Sequence, residues 1–279
     1  MSKMHRAFVV LAILGVGGRG SALAQSEPAA ANPVPAVASQ QPLVGNSEPQ
    51  TEPLSSAGSR SLVNPSLGAT FKSIGGDLRR MFTTGSVPMT LAFAGSAVLA
   101  SQWDRAAVGE VRELPSDTFT AGNRTGAFAT QMGAAFGTFA IGKVTGNSRI
   151  ALTGSHLIRA QISSQLVVQG IKIAAGRTRP DASNNQSFPS GHTASAFATA
   201  TVLQRDFGWK VGIPAYAVGA YVAASRMGSN KHFLSDVIVG AAVGITAGRA
   251  VTIGSGKARF DLGLAPTSGG AAVMFTKKN

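Results

Sequence analysis

Three short segments concentrate the residues able to do chemistry. Lys172 is separated by six residues from Arg179-Pro180, Pro189-Ser190-Gly191-His192 follows, and Ser225-Arg226 precedes His232 and Asp236. His232 and Asp236 stand four apart, so on a helix they share one face, a turn from each other. A carboxylate bonded to one imidazole nitrogen fixes the tautomer and leaves the other lone pair free to attack an electrophile. The plainer alternative is a surface pair worth about 0.2–0.5 kcal/mol. Ser190 opens an Ala-rich run, which suits a helix N-cap. The same geometry also makes an anion cradle, because N–H groups are free at a helix start and Gly191 admits close backbone approach. Lys172 lies near the end of an expected helix, and Arg179 just before Pro180, which ends helical conformation. Cations there suit the helix dipole, and that role suffices for Arg177. An Arg fork and a Lys point charge also suit an oxyanion.

Histidine is scarce: His5, His156, His192 and His232 are the four. His5 falls in an N-terminal leader. His156 sits in an expected helix with no motif around it and reads as a packed or surface residue. His192 and His232 both fall in the segments above.

These segments need elements to position them. Ala-rich runs broken at Gly, Pro, Asn and Asp predict helices near 69–82, 86–103, 122–143, 149–176, 192–206, 211–226 and 232–250. Met81–Trp103 and Thr125–Gly142 carry no formal charge and are long enough to span a bilayer. The other helices are interrupted by cations, so the sequence permits a membrane-embedded bundle and a soluble one, and membrane association is the expectation. In the tail, Phe260, Leu262 and Leu264 alternate, as do Ala271, Val273 and Phe275, around a Pro/Gly turn, which predicts a β-hairpin over 257–279.

Lys3 and Arg6, an apolar run from Ala7 to Val16, and Ala22-Leu23-Ala24 read as a secretory signal over 1–24, cut after Ala24. The expected location is therefore the periplasm or the periplasmic face of a membrane. Residues 25–56 are Pro-rich and lack Lys and Arg, as in a disordered linker, leaving 57–256 as the helical domain. With 44% apolar and 13% charged residues the chain is not predominantly disordered, and without Cys it has no disulfide or zinc-thiolate site. A net charge of +13 suggests an anionic partner. Nucleic acid is disfavoured, because the basic residues are dispersed and Trp and Tyr total four.

In type, order and internal spacing, the three segments resemble the signature of the type 2 phosphatidic acid phosphatase superfamily. That superfamily includes lipid phosphate phosphatases, bacterial class A acid phosphatases and vanadium-dependent haloperoxidases. The resemblance covers residues 150–245 and extends back towards residue 70 as supporting helices. It implies an all-α helical bundle of the acid phosphatase/haloperoxidase type, with the hairpin appended. It further implies a phosphatase that needs neither metal nor cofactor and acts on a phosphorylated lipid or small phosphate ester. Lys172, Arg179, Ser190, Gly191 and Arg226 would hold phosphate. His232 would attack phosphorus, His192 would serve as acid and base, and Asp236 would orient His232. A haloperoxidase binding vanadate and a non-catalytic lipid-phosphate scaffold are the alternatives. Only Asp181–Phe188 separates the first two segments, a short loop for the soluble acid phosphatases.

Overall fold

The computed structural model describes residues 64–83, 87–252, 259–267 and 270–278. The expected leader and linker lie outside these residues. In chain order come α1 (Leu67–Lys72), α2 (Ile74–Met81), α3 (Val87–Ala100), α4 (Asp104–Arg112) and α5 (Thr120–Thr125). Then follow α6 (Phe128–Val144), α7 (Ser148–Ala175), α8 (Gly191–Phe207), α9 (Trp209–Gly228) and α10 (Leu234–Thr252). Short 3-10 turns at Ser101–Trp103 and Ser116–Phe119 flank α4. The class is all-α, as expected. In the tail, β1 (Arg259–Thr267) and β2 (Gly270–Lys278) pair antiparallel with Leu262 opposite Phe275. They follow the helical fold, and no finding supports the hairpin as part of it.

The long helix α7 has clear start and stop signals. Asn147 Oδ1 accepts from the N–H groups of Arg149 and Ile150 at 3.1 and 3.2 Å, capping the first turn. Gly176 ends the helix at φ +54°, the left-handed conformation that glycine adopts without steric cost. Twenty-eight residues make a rod of about 42 Å. Helix α8 packs against α7, α9 and α10, and α6 covers α7. One core cluster joins Val108, Val111 and Phe119 to Ala223, Met227, Leu234 and Val237. A second joins Phe139, Leu157 and Ile158 to Ala198, Val202 and Val251.

Glycine sets the separation of α8 and α10. A Cβ at Gly240 would stand 2.5 Å from the Ser190 carbonyl oxygen, and one at Gly244 would stand 2.3 Å from that of Ala194. The start of α8 therefore rests directly on α10 backbone, which brings Ser190 N–H to the Asp236 carbonyl at 2.9 Å.

Three differences from the expected helices have physical causes. The segment expected as one helix over 69–82 is divided at Ser73 into α1 and α2. The one expected over 122–143 divides at Gly126-Ala127, with Ala127 extended at ψ 136°. No helix was expected at 104–112, yet α4 forms there. It is short and carries Asp104, Arg105, Glu110 and Arg112, so only Val108 and Val111 mark its buried face. The apolar stretches expected to span are also shorter as helices: α3 has 14 residues and α6 has 17. Among the described helices, α10 is long and apolar enough to cross a membrane, and it is mostly buried within the bundle.

Candidate active site

Chain direction gathers the motif residues. Lys172 is in the last turn of α7, and Arg226 in the last turn of α9. Ser190 and Gly191 begin α8, with His192 in its first turn, and Asp236 is in the first turn of α10. Arg179 and His232 occupy the two loops that connect these ends. The electrostatics show the same convergence: Arg226, His232, Arg179 and Lys172 all act on His192. Every site residue expected from the sequence lies in this cluster or lines the start of α8.

Ser190 is fully buried and caps α8, its Oγ accepting from Thr193 Oγ1 at 2.9 Å and from Thr193 N–H at 3.4 Å. Gly191 is gripped from below, because Gln165 Nε2 donates to its carbonyl at 3.0 Å and to Ser195 Oγ at 2.9 Å. Lys172 Nζ donates to the Gln186 carbonyl. Arg226 Nη1 donates to Asn123 Oδ1 at 2.7 Å, and Asn123 Nδ2 donates to Ser229 Oγ at 2.6 Å. The Nε–H groups of both Arg179 and Arg226 are buried with no hydrogen-bond partner among the described residues. A buried donor without a partner is costly, so two in one cluster of cations mark a place suited to an anion. Lys231 pairs with Asp181 at 2.5 Å, tying together the two loops that carry Arg179 and His232.

The arrangement of His232 differs from the expected one. Helix α10 begins at Leu234, so His232 and Asp236 do not share a helical face. His232 Nδ1 lies 3.7 Å from Asp236 Oδ2, and its hydrogen bond goes instead to the Ser187 carbonyl at 2.6 Å. A carbonyl oxygen can only accept, so Nδ1 carries the proton and Nε2 keeps its lone pair. The Asp236 carboxylate is taken by other donors. Phe233 N–H reaches Oδ2 at 2.8 Å, Ser187 Oγ donates to the same oxygen, and Arg177 Nη1 reaches Oδ1 at 2.7 Å. An acid in the first turn that reaches back to the N–H just before the helix acts as half of a capping box.

Charge and burial set the protonation states. Burial, opposed by Asp236, lowers the His232 pKa to about 4, so the imidazole is neutral near pH 7. Burial and then Arg226, His232, Arg179 and Lys172 lower His192 to about 3. Lys172 falls to about 8, chiefly through burial and then Arg179, and Arg226 falls to about 10 for the same two reasons.

Several contributors were not singled out from the sequence. Ser187, Gln186 and Asn123 contact site residues directly, while Asp104 and Ser235 contact Arg177, which itself bonds Asp236 and so does more than oppose a helix dipole. Ser187 and Gln186 fall in the short loop between two motifs, a position that could have flagged them. Asp104 is 131 residues from Ser235 in sequence, and nothing local marks it. His156 is a packed residue, bonded to Asp206 at 3.0 Å and remote in the fold from the motif helix ends.

The PAP2 superfamily pattern matches residues 154–260. A lipid A 1-phosphatase of Porphyromonas gingivalis is 42% identical over 85 residues, which are 29% of this chain and 19% of that protein. The matched stretch thus spans about a fifth of that relative's length. A transmembrane PAP2 type phosphatidylglycerolphosphate phosphatase from Bacillus subtilis, known from its crystal structure, aligns with TM-score 0.44 and 20% identity. That alignment covers 66% of this chain and 93% of the other. The residues matched to the PAP2 superfamily, 154–260, carry all three motif segments.

Proposed function

We propose that this protein is a metal-independent phosphatase that hydrolyses a phosphomonoester or pyrophosphate of a lipid through a phosphohistidine intermediate. One observation carries the reading. Three buried or half-buried cations, two with unpartnered Nε–H groups, stand around two neutral imidazoles, and one imidazole has its tautomer set by the Ser187 carbonyl.

Lys172, Arg179, Arg226 and N–H groups at the start of α8 hold the phosphoryl oxygens and stabilise the charge that spreads over them in the transition state. The His232 Nε2 lone pair forms the N–P bond as the P–O bond to the leaving group breaks. His192 delivers a proton to the departing oxygen. The bound phosphate supplies negative charge that restores proton affinity to His192, which burial and then the four cationic or imidazole neighbours otherwise suppress. In the second half His192 takes a proton from water, whose oxygen attacks phosphorus and releases His232 and inorganic phosphate.

Two observations support a lipid substrate. The identified relative is a phosphatase of lipid A. Large apolar side chains also stand exposed on the bundle, among them Leu91, Val98, Leu99 and Trp103 beside α3, Ile141 and Val144 on α6, and Trp209 and Ile213 on α9. Exposed apolar side chains of this size suit contact with a membrane. The N-terminal signal motif supports a contact on the periplasmic side.

A phosphate-release screen with purified protein tests the reading. Lipid phosphates and pyrophosphates are expected to be cleaved faster than soluble esters, activity should persist in EDTA, and vanadate should inhibit competitively as a mimic of the five-coordinate transition state. Loss of activity in EDTA that magnesium restores contradicts this assignment.

The pH dependence of kcat/KM reports the free site. Below about pH 4 His232 gains a proton and loses its lone pair, so activity falls towards acid. Above about pH 8 Lys172 also loses its charge and phosphate is held less well, so kcat/KM falls more steeply there. In Lys172→Arg the guanidinium stays charged. Whatever activity that variant keeps should lack the limb near pH 8; a limb that stays in place assigns it to another group.

A further inference from the structure

We infer that Arg177 and Asp104 are positioning residues for His232, acting through a closed set of hydrogen bonds that links α4, the loop after α7 and the start of α10; the inference rests on the phosphatase reading above. The geometry is continuous. Asp104 Oδ2 accepts from Arg177 Nη2 at 2.7 Å and from Ser235 Oγ at 2.7 Å, while its Oδ1 accepts from Ser235 N–H at 2.8 Å. Arg177 Nη1 donates to Asp236 Oδ1 and to Ser235 Oγ, both at 2.7 Å. The guanidinium lies 4.2 Å from the centre of the Phe233 ring, which covers one of its faces.

The backbone closes the ring. Ser187 N–H donates to the Arg177 carbonyl at 2.9 Å, Ser187 Oγ donates to Asp236, and the Ser187 carbonyl receives Nδ1 of His232. Arg177 therefore holds Ser187 twice, directly through its own carbonyl and indirectly through Asp236. Asp104 is 4% exposed, and its partners use both of its oxygens. A buried carboxylate needs such pairing, and the cation it pairs with also serves Asp236. The bifurcated use of one guanidinium by two carboxylates requires the planar fork that Lys lacks.

The arrangement balances charge as well as position. In order from α4, the charges alternate: Asp104 negative, Arg177 positive, Asp236 negative, then the neutral His232. The other charged or titratable groups acting on His232 are Lys172 of α7, Arg226 of α9 and His192 of α8. With Arg177 removed, Asp236 loses its ion-paired partner and acts more strongly on His232. With Asp104 neutral, Arg177 is left to Asp236 alone. These two changes push the proton affinity of His232 in opposite directions, whereas general loosening of the site moves it towards the ordinary histidine value near 6.5 in both cases.

The test uses the full chain as five proteins: the unmodified enzyme, Arg177→Met, Arg177→Lys, Asp104→Asn, and His232→Ala for assignment. The readouts are the NMR titration of the His232 imidazole, assigned by its loss in His232→Ala, and kcat and KM on one lipid phosphate. Arg177→Met is expected to raise the His232 midpoint and lower kcat about 10²-fold with KM little changed, as for a small misplacement of a reacting group. Asp104→Asn should lower the midpoint, and Arg177→Lys should keep it near that of the unmodified enzyme while recovering only part of kcat. Should Arg177→Met fail to fold, the downward shift in Asp104→Asn decides. Midpoints that rise in both Arg177→Met and Asp104→Asn, or kcat values equal to that of the unmodified enzyme, overturn the inference. Absence of phosphate release by the unmodified enzyme itself overturns the phosphatase reading instead.

Discussion

Replacing His232 by Ala is expected to reduce turnover by at least about 10⁴-fold, because removing a nucleophile leaves only binding and charge stabilisation to assist the reaction. Neither Ser190 nor Lys172 can take over. Ser190 Oγ is buried and already accepts from Thr193 twice, and no base is bonded to it among the described contacts. Lys172 is protonated below about pH 8. Vanadate affinity should fall far less than turnover, since Lys172, Arg179, Arg226 and the start of α8 remain. Measured phosphate release above one hundredth of the unmodified rate assigns the attack elsewhere. The variant should also fold, because His232 loses only one side-chain hydrogen bond, that to Ser187.

His192→Ala should separate substrates by their leaving groups. A general acid typically contributes about 10²–10⁴-fold, and most where the departing oxygen is strongly basic. An alkyl or lipid alkoxide needs the proton; a nitrophenolate leaves without it. The variant is therefore expected to lose about 10²–10⁴-fold in phosphoenzyme formation from a lipid or alkyl phosphate, and little from nitrophenyl phosphate. Because His192 also activates water, nitrophenyl phosphate should give a burst of nitrophenolate followed by slow turnover. Pre-steady-state traces on both substrates check this. Equal damage to the first step for both esters makes His192 a phosphate ligand or a structural residue, and moves the acid–base role to another group.

The site was more legible in the sequence than the means of holding it. Lys172, Arg179, Ser190, Gly191, His192, Arg226 and Asp236 occupy local motifs, and helix ends bring local motifs together once the bundle closes. The relation between His232 and Asp236 was misread because a spacing of four implies a shared face only inside a helix, and α10 starts two residues after His232. Where the helix starts depends on Asp236 itself, whose carboxylate takes the Phe233 N–H and two further donors. Asp104 was invisible for a different reason. Its partners come from α10 and the loop after α7, and such contacts follow from packing alone. The α4 helix that carries it was missed too, since a short charged helix with two buried valines has little periodicity to read. The division at Gly126 belongs to packing as well: a Cβ there would stand 2.4 Å from Val222 Cγ1 and 3.2 Å from His192 Cβ.

The central claim is a covalent bond between phosphorus and His232, and trapping it is the most direct test. The purified enzyme is mixed with a substrate carrying labelled phosphorus, quenched within milliseconds at mildly alkaline pH, digested and mapped by mass spectrometry. A phosphorylated imidazole is stable to base and labile to acid, unlike a phosphorylated serine. The account predicts label on the peptide containing His232, lost on acid treatment, formed and consumed fast enough to match turnover, and absent from His232→Ala. Acid-stable label on Ser190, or full turnover with no labelled enzyme at any time, contradicts it.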